Sequence, residues 1–529
     1  MASIRRYLYI NLTIFIVLIT QSSCLSKKFI NKKIIIASAG KIESVDPAQA
    51  STLKSLQLIS GLGDRLYLID INGFIKPQLA ADYPIFSEDS LSIDIPLRED
   101  VFFHDGSKFD AEAMIFSMRR FLEIGILNYQ FNEKVKSLEA PEKYLLRINL
   151  KKKSSSIIKL LTSVNLTPVS PKSYKNYQGK FLNEKFIGTG PYKLVKFTPE
   201  KQSLDINNKY WGIKPKNDGI EYVNYRNTST LFGALKNGNI DILLSNSIED
   251  IHRLHLNKLA KNNKIKETIG PETEIGFITL RSDRYPFNNK NVRKAISYLI
   301  NRDLIVEKVS FNQRESIRSI TPRFLNNNGD QKFYWPKYNI KIAENLLKKE
   351  GYCLGNKLNV NLTFRSNVPA DKLMALIWKQ QIERDLSKCI SLTLNNVEST
   401  TVYKQLSEGS FAAVILDWTG SYPDPEAYLS PLLSCSETVK DICKKGEAVL
   451  SGSFWSSKEI QNYLKKSEAA LGEKRSIIFS KIEELTADNN PYIPLWIVRP
   501  KVWTKLNISN SKFDLSGFLK LDQLIKLED

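Results

Sequence analysis

Residues 411–429 read FAAVILDWTGSYPDPEAYL. The apolar run from Phe411 to Leu416 reads as a buried strand, and it passes directly into Asp417-Trp418-Thr419-Gly420-Ser421-Tyr422-Pro423-Asp424-Pro425. In a parallel α/β unit, ligands gather beyond the C-terminal ends of the strands. Here that end offers an aromatic ring, two carboxylates, hydroxyls and a backbone stiffened by prolines. Trp418 is placed to line a pocket by stacking, and an adjacent carboxylate to fix a cationic group. The competing reading makes Trp418 a core residue and uses the acids as helix caps.

Outward from this segment, from Tyr338 onward, helical patterns (IKIAENLLKKEG, ADKLMALIWKQQIERDL) alternate with strand patterns (LNVNLTF, ISLTLNN). That alternation predicts an α/β unit with a mainly parallel sheet. Near Glu272 the pattern restarts with the strand IGFITL. After the turn at Pro286, NVRKAISYLINRDLIVEKV predicts one strong helix. Earlier, GIEYVNY, TSTLFGALKNG and IDILLS form a β-α-β succession with parallel strands and a right-handed crossover. Ile187 to Tyr192 (IGTGPY) is a rigid turn into the strand YKLVKFT. Asp110 caps the helix AEAMIFSMRRFLEIG, which stops at Gly125.

The N-terminus sets the compartment. Arg5 and Arg6, an apolar run from Leu8 to Ile19, and Gln21-Ser22-Ser23-Cys24 follow the order of a secretory signal over residues 1–24. The apolar run is shorter than the roughly 20 residues of a spanning helix. Ser22 and Ser23 resemble a lipobox before Cys24, although Gln21 stands where that motif has Leu. Lipidation of Cys24, ordinary signal cleavage and an uncleaved anchor are the alternatives, and all lead outside the cytoplasm. Four more cysteines, Cys353, Cys389, Cys435 and Cys443, suggest two disulfides among three possible pairings. Cys435 and Cys443 would close a short loop. Cys353 and Cys389 each precede a strand pattern, and can meet if those strands are parallel neighbours.

The formal charge of +20 is spread along the chain without a dense basic block, so nucleic acid is not an expected partner. Catalytic machinery is equally hard to find. The three histidines include His252 and His255, three apart on one helix, with no third metal ligand in view. There is no HExxH, GxSxG, P-loop or strand-to-helix GxGxxG. Neither a catalytic residue, a metal nor a cofactor is expected.

Ten segments in order carry a resemblance: Asp46-Pro47, FIKPQLAADY, IPLREDVFFHDGSKFDAEAMIFS, IGTGPYKL, NKYW, GNIDI, PFNNKNVRKAISYLINR, AENLLKKEGY, DWTGSYPDP and YIPLW. From about Lys33 to the C-terminus the chain resembles bacterial extracellular solute-binding proteins of family 5, the oligopeptide/dipeptide-binding type of ABC importer. The resemblance implies a two-lobed α/β fold with a hinge and an extra subdomain. One lobe would combine 25–46, 183–273 and 497–529, with 47–182 as its inserted subdomain, and 274–496 would form the other. It implies a monomer at the extracytoplasmic face that closes on a peptide or other small solute and presents it to a membrane permease. Ser51, Asn246 and Trp496 sit where relatives line the cleft, beside Asp417, Trp418, Thr419, Gly420, Ser421, Tyr422 and Asp424. Peptide-binding relatives carry Trp-x-x-Asp, whose Asp captures the peptide ammonium. Here Trp418 matches and Ser421 replaces that Asp, which leaves open a non-peptide solute such as a metal chelate or sugar. A periplasmic peptide hydrolase and a lipoprotein that has lost transport are the rival classes.

Overall fold

The computed structural model describes residues 33–528 except 71, 127, 178, 246–247 and 326–333, so the leader and Cys24 lie outside the described residues. The opening run IIIASA forms the middle of a seven-stranded sheet. The order is Lys266–Ile269, Lys501–Thr504, Ile242–Leu244, Ile34–Ala39, Ile220–Tyr225, Lys201–Ile206 and Tyr192–Thr198. Ile34–Ala39 is parallel to both neighbours, with Ile36 opposite Ile242 on one side and Tyr222 on the other. The helix Thr228–Lys236 therefore connects parallel strands with the opening strand lying between them. Burial on both faces explains why that opening strand shows no polar alternation.

A second sheet has the order Glu315–Ser316, Tyr492–Val498, Glu274–Leu280, Ala413–Thr419, Leu358–Arg365 and Ile390–Val397. The expectation of a mainly parallel sheet is corrected here: the sheet is mixed. Leu358–Arg365 is parallel to both neighbours, but Glu274–Leu280 is antiparallel to both of its own. The helix–strand alternation begins only at Tyr338. Glu274–Leu280 enters before it, straight from the first sheet, and no crossover helix dictates its direction. The single helix expected after Pro286 is also two, Lys290–Tyr298 and Arg302–Ser310. Asn301 starts the second by accepting the Leu304 N–H at 3.2 Å.

A smaller antiparallel sheet, Ile85–Phe86, Ser92–Pro96, Leu145–Leu150 and Val135–Glu142, carries the helix Ala111–Ile124. Asp110 caps that helix through the Ala113 N–H at 3.0 Å, as its sequence pattern predicts. The small sheet is tied to the chain leaving the first one by Asp46. This fully buried carboxylate accepts from Arg120 Nη1 (2.8 Å) and Nη2 (2.6 Å), and from the Leu182 N–H (2.7 Å).

Two crossings join the large sheets into a two-lobed molecule. Gly270 N–H donates to Pro500 O (2.8 Å) and Thr273 N–H to Val498 O (3.2 Å), so the crossings run side by side. Buried Glu272 sits there between Arg323 and Arg499, and Glu315 shares both guanidiniums. At the far end of the second sheet, Leu358 lies opposite Ile390 in parallel register, and Cys353 is bonded to Cys389. Cys435 is bonded to Cys443 across a short hairpin.

Replacing Asp46 leaves the buried Arg120 guanidinium without its countercharge. Asp46→Ala is expected to cost about 3–5 kcal/mol in chemical denaturation. A loss under 1 kcal/mol would mean that the small sheet is held by apolar packing alone.

Candidate functional site

Antiparallel pairing brings the start of Glu274–Leu280 level with the ends of its neighbours, Glu274 lying opposite Thr419 and Val498. Arg365 ends its strand at the same edge, because that strand runs parallel to Ala413–Thr419. This edge is where the chain crosses between lobes, so it faces the first lobe's helix Asp250–Lys261.

On one sheet face stand Glu274, Asp417 and Trp496, the last two both opposite Gly276. Gly276 is required: a Cβ there would lie 2.3 Å from Trp496 Nε1. The Arg314 guanidinium covers the indole at 4.8 Å and donates from Nε to Asp250 Oδ2 at 3.1 Å, linking the lobes. Nearby, Asn257 Nδ2 reaches Gln313 Oε1 at 2.5 Å. Buried Arg253 donates to the carbonyls of Ile248 and Ser245. Arg365 is shared out among Asp371 (2.7 Å), Asp417 (2.6 Å) and the Tyr403 hydroxyl (2.8 Å).

Titration follows from this crowding. Burial, reinforced by Asp417, pushes Glu274 up to about 7, against the pull of Arg314, Arg253 and Arg365. Burial also raises Asp371 to about 6 despite Arg365. The Arg253 guanidinium is lowered by its own burial, which Asp250 only partly offsets.

The expected site residues divide into groups. Asp417 and Trp496 share the inter-lobe face just described. Trp418 points to the opposite sheet face, half-buried, its Nε1 donating to Ala427 O at 2.8 Å. Thr419 is half-buried at the strand end, and Gly420 packs beneath Tyr428, whose hydroxyl donates to Thr273 O. Ser421 donates its hydroxyl to Gln130 Oε1 at 2.6 Å, docking the small subdomain. Tyr422 is buried in the apolar cluster. Asp424 departs from the sequence reading of a ligand carboxylate. It is fully buried and paired with Arg475 (2.7 and 2.8 Å) and with Lys159 of the small subdomain (3.0 Å). Burial alone would raise it, but Arg475 and Lys159 hold it down at about 2. The neighbouring Glu426 pairs with buried Lys134 in the same interface. Ser51 lies exposed on the loop before the helix Leu53–Leu62, and Asn246 is outside the described residues.

Sequence reading missed Glu274, Arg314, Arg365, Asp250 and Arg253. One signal was present: Arg365 closes the strand LNVNLTFR, so the strand-end rule that singles out Asp417 selects it too.

The model for bacterial extracellular solute-binding proteins, family 5 (Middle), matches residues 75–440. The chain belongs to this family. It is 24% identical over 504 residues to the glutathione-binding protein GsiB of Escherichia coli O6:K15:H31, covering 93% of this chain and 92% of that protein. It is 26% identical over 390 residues to heme-binding protein A of Haemophilus influenzae, covering 68% and 69%. Among solved structures it is similar to a dipeptide-binding protein of Pseudoalteromonas sp. SM9913 in complex with Met-Leu (TM-score 0.79, 20% identity, 93% of this chain and 100% of that one). It is also similar to NikA of Brucella suis in complex with Fe(III)-EDTA (TM-score 0.81, 21% identity, 93% and 99%). Solute-binding proteins of this family are extracytoplasmic components of ABC importers, and among the described residues no helix is long and apolar enough to cross a membrane.

Asp424→Asn removes the countercharge of two buried or half-buried cations and is expected to destabilise the fold by about 3 kcal/mol or more. Because the folded carboxyl titrates below its unfolded value near 4, its contribution is present above that value and lost as pH falls toward about 2. Acid unfolding followed by circular dichroism should show the variant less pH-sensitive than wild type between pH 4 and 2. Equal acid profiles would remove Asp424 from the stabilising set.

Proposed function

We infer that the protein is the extracytoplasmic substrate-binding subunit of an ABC importer, taking a small solute between its lobes and delivering it to a membrane permease. The observation that carries this reading is the charged, hinge-adjacent edge of the second sheet, lined from both lobes and bridged by Arg314 and Asp250. Solute held at such an edge contacts both lobes at once, so it stabilises the closed arrangement by its differential affinity for it. Strand membership in the three sheets supports the division into 25–46, 183–273 and 497–529 as one lobe, 47–182 as its insert, and 274–496 as the other, except that Ile497 and Val498 complete a strand of the second sheet. The residues proposed to face solute are Asp417, Trp418, Thr419, Gly420, Ser421, Trp496, Ser51 and Asn246. Tyr422 and Asp424 frame the loop that carries them.

A binding role without catalysis fits the site. Among the described residues no serine or cysteine is hydrogen-bonded to a histidine, and His252 and His255 both pack against the Phe232 ring. A leader over 1–24, anchorage through Cys24 and a monomeric state complete the reading.

Oligopeptide is the first solute class, in line with the relatives named for dipeptide and for glutathione. A non-peptide solute is the second, favoured by one observation: Ser421 is engaged by Gln130 and offers no countercharge.

Native mass spectrometry of residues 25–529 purified without denaturant should reveal a co-purifying solute, and re-adding that solute to stripped protein should compact it in solution scattering. A protein that neither carries nor binds any solute would refute the transport role. Trp418→Ala should weaken solute binding by more than about 1 kcal/mol while the fold persists. Global unfolding of that variant would instead assign Trp418 to the core.

A further inference from the structure

The resemblance drawn from the sequence puts Ser421 where peptide-binding relatives carry an Asp, and the two nearby acids are already committed, Asp424 of the loop to Arg475 and Lys159 and Asp417 of the strand in part to Arg365. A countercharge for a basic solute must therefore come from another element. The strand after the hinge supplies one. Glu274 and Asp417 are diagonal neighbours on one face of antiparallel strands, close enough for the charge of Asp417 to act on Glu274.

The charges facing this point come from two helices, three strands and one connecting segment. The first lobe's helix contributes Asp250 and Arg253. The segment before Glu315–Ser316 contributes Arg314. The strand ends contribute Glu274, Arg365 and Asp417, and the helix Pro369–Asp385 contributes Asp371. Four carboxylates against three guanidiniums leave one negative charge in excess. The next group along the hinge, Glu272, Glu315, Arg323 and Arg499, is balanced, so it does not cancel that excess. Each guanidinium in the set has at least one carboxylate or carbonyl partner, although Arg253 Nη1 and Trp496 Nε1 are buried without an acceptor among the described residues, whereas Glu274 has no side-chain hydrogen bond or ion pair there at all. A second observation points the same way. Asp250, only 8% exposed, accepts from Arg314 through Oδ2 but leaves Oδ1 without a hydrogen-bond partner among the described residues, with Arg253 Nε 3.8 Å away from it. Buried acceptors without donors are costly unless something fills them.

We propose that Glu274, with Asp417 beside it, receives a cationic group of the solute, so that this protein selects solutes carrying one ammonium or guanidinium group. The inference rests on the solute-capture reading and names the chemistry of that same site. The group's source is either a peptide α-ammonium or a basic side chain, because both present the same charge to the carboxylates. An ammonium at Glu274 brings the cluster to neutrality and lets its carboxylate stay ionised. Its place on a strand beside the hinge also differs from capture by the loop: the cation would sit where the two lobes meet.

Isothermal titration of wild type and Glu274→Gln with three probes tests this: trialanine, N-acetyl-trialanine, and an N-acetylated alanine tripeptide with a central lysine. The solute found by native mass spectrometry is included as a fourth. Wild type should bind at least one free-amine or lysine probe, or carry a solute with a basic group, at least tenfold more tightly than the neutral probe. Trialanine as the preferred probe identifies the α-ammonium, and the acetylated lysine peptide identifies the side chain. Glu274→Gln should erase that preference by tenfold or more with an unchanged melting profile. It should also abolish the weakening of cation binding that wild type shows between pH 8 and pH 6. Tight binding of a solute without a basic group, or an unchanged preference in Glu274→Gln, overturns the inference and leaves the transport reading standing. Failure of every probe together with an empty purified protein removes the transport reading itself, and this inference falls with it.

Discussion

The direction of one strand governs this molecule. Glu274–Leu280 leaves the first lobe without a helix, enters the centre of the second sheet, and lies antiparallel to both Ala413–Thr419 and Tyr492–Val498. Were it parallel to Ala413–Thr419, its start would lie at the opposite edge. Because it is antiparallel to both, its first residue meets the last residues of its neighbours. The hinge crossings, the end of the Trp496 strand, the Asp417 loop and Arg365 all gather at one edge. Glycine at 276 completes the arrangement by letting the Trp496 indole lie across the strand.

Two kinds of charge meet around that edge, with different physical roles. Asp424, Arg475, Lys159, Glu426 and Lys134 form a closed set between the small subdomain and the second lobe. Each ion is satisfied by another, and such a set fixes how two bodies dock while adding little net energy. The inter-lobe set is open: Glu274 makes no ion pair among the described residues, and burial with Asp417 beside it raises its titration. Satisfied charge specifies structure, whereas charge left unsatisfied in a closed protein is what a ligand can use.

The fold was largely legible because its signals are local. The cap at Asp110, the stop at Gly125, the β-α-β order around Thr228–Lys236 and the restart near Glu272 all depend on residues close in sequence. The direction of Glu274–Leu280 was not legible, since pairing sense is decided by strands more than a hundred residues away and leaves no trace in composition. The same distinction separates the site residues. Asp417 and Trp418 could be found because a strand end points at them. Asp424 sits in the same loop, yet its role depends on Arg475 and Lys159, from two other parts of the chain. Glu274 stands just before the strand pattern IGFITL and gives no local signal, because its charge acquires meaning only when Asp417, Arg314 and Arg253 are brought beside it.

The placement of Lys501–Thr504 has a consequence for the order in which the molecule can be assembled. This strand lies between Ile242–Leu244 and Lys266–Ile269, hydrogen-bonded to both. A chain emerging from its N-terminus thus presents the first lobe with an unfilled slot until nearly its last residues appear. The second lobe, by contrast, has all its strands by Val498, and both of its disulfides close within it. The lobe that begins the chain is therefore the last to be finished, and the lobe inserted into it can be complete beforehand. Truncation of the final thirty residues would spare the later lobe and leave the earlier one with an open edge.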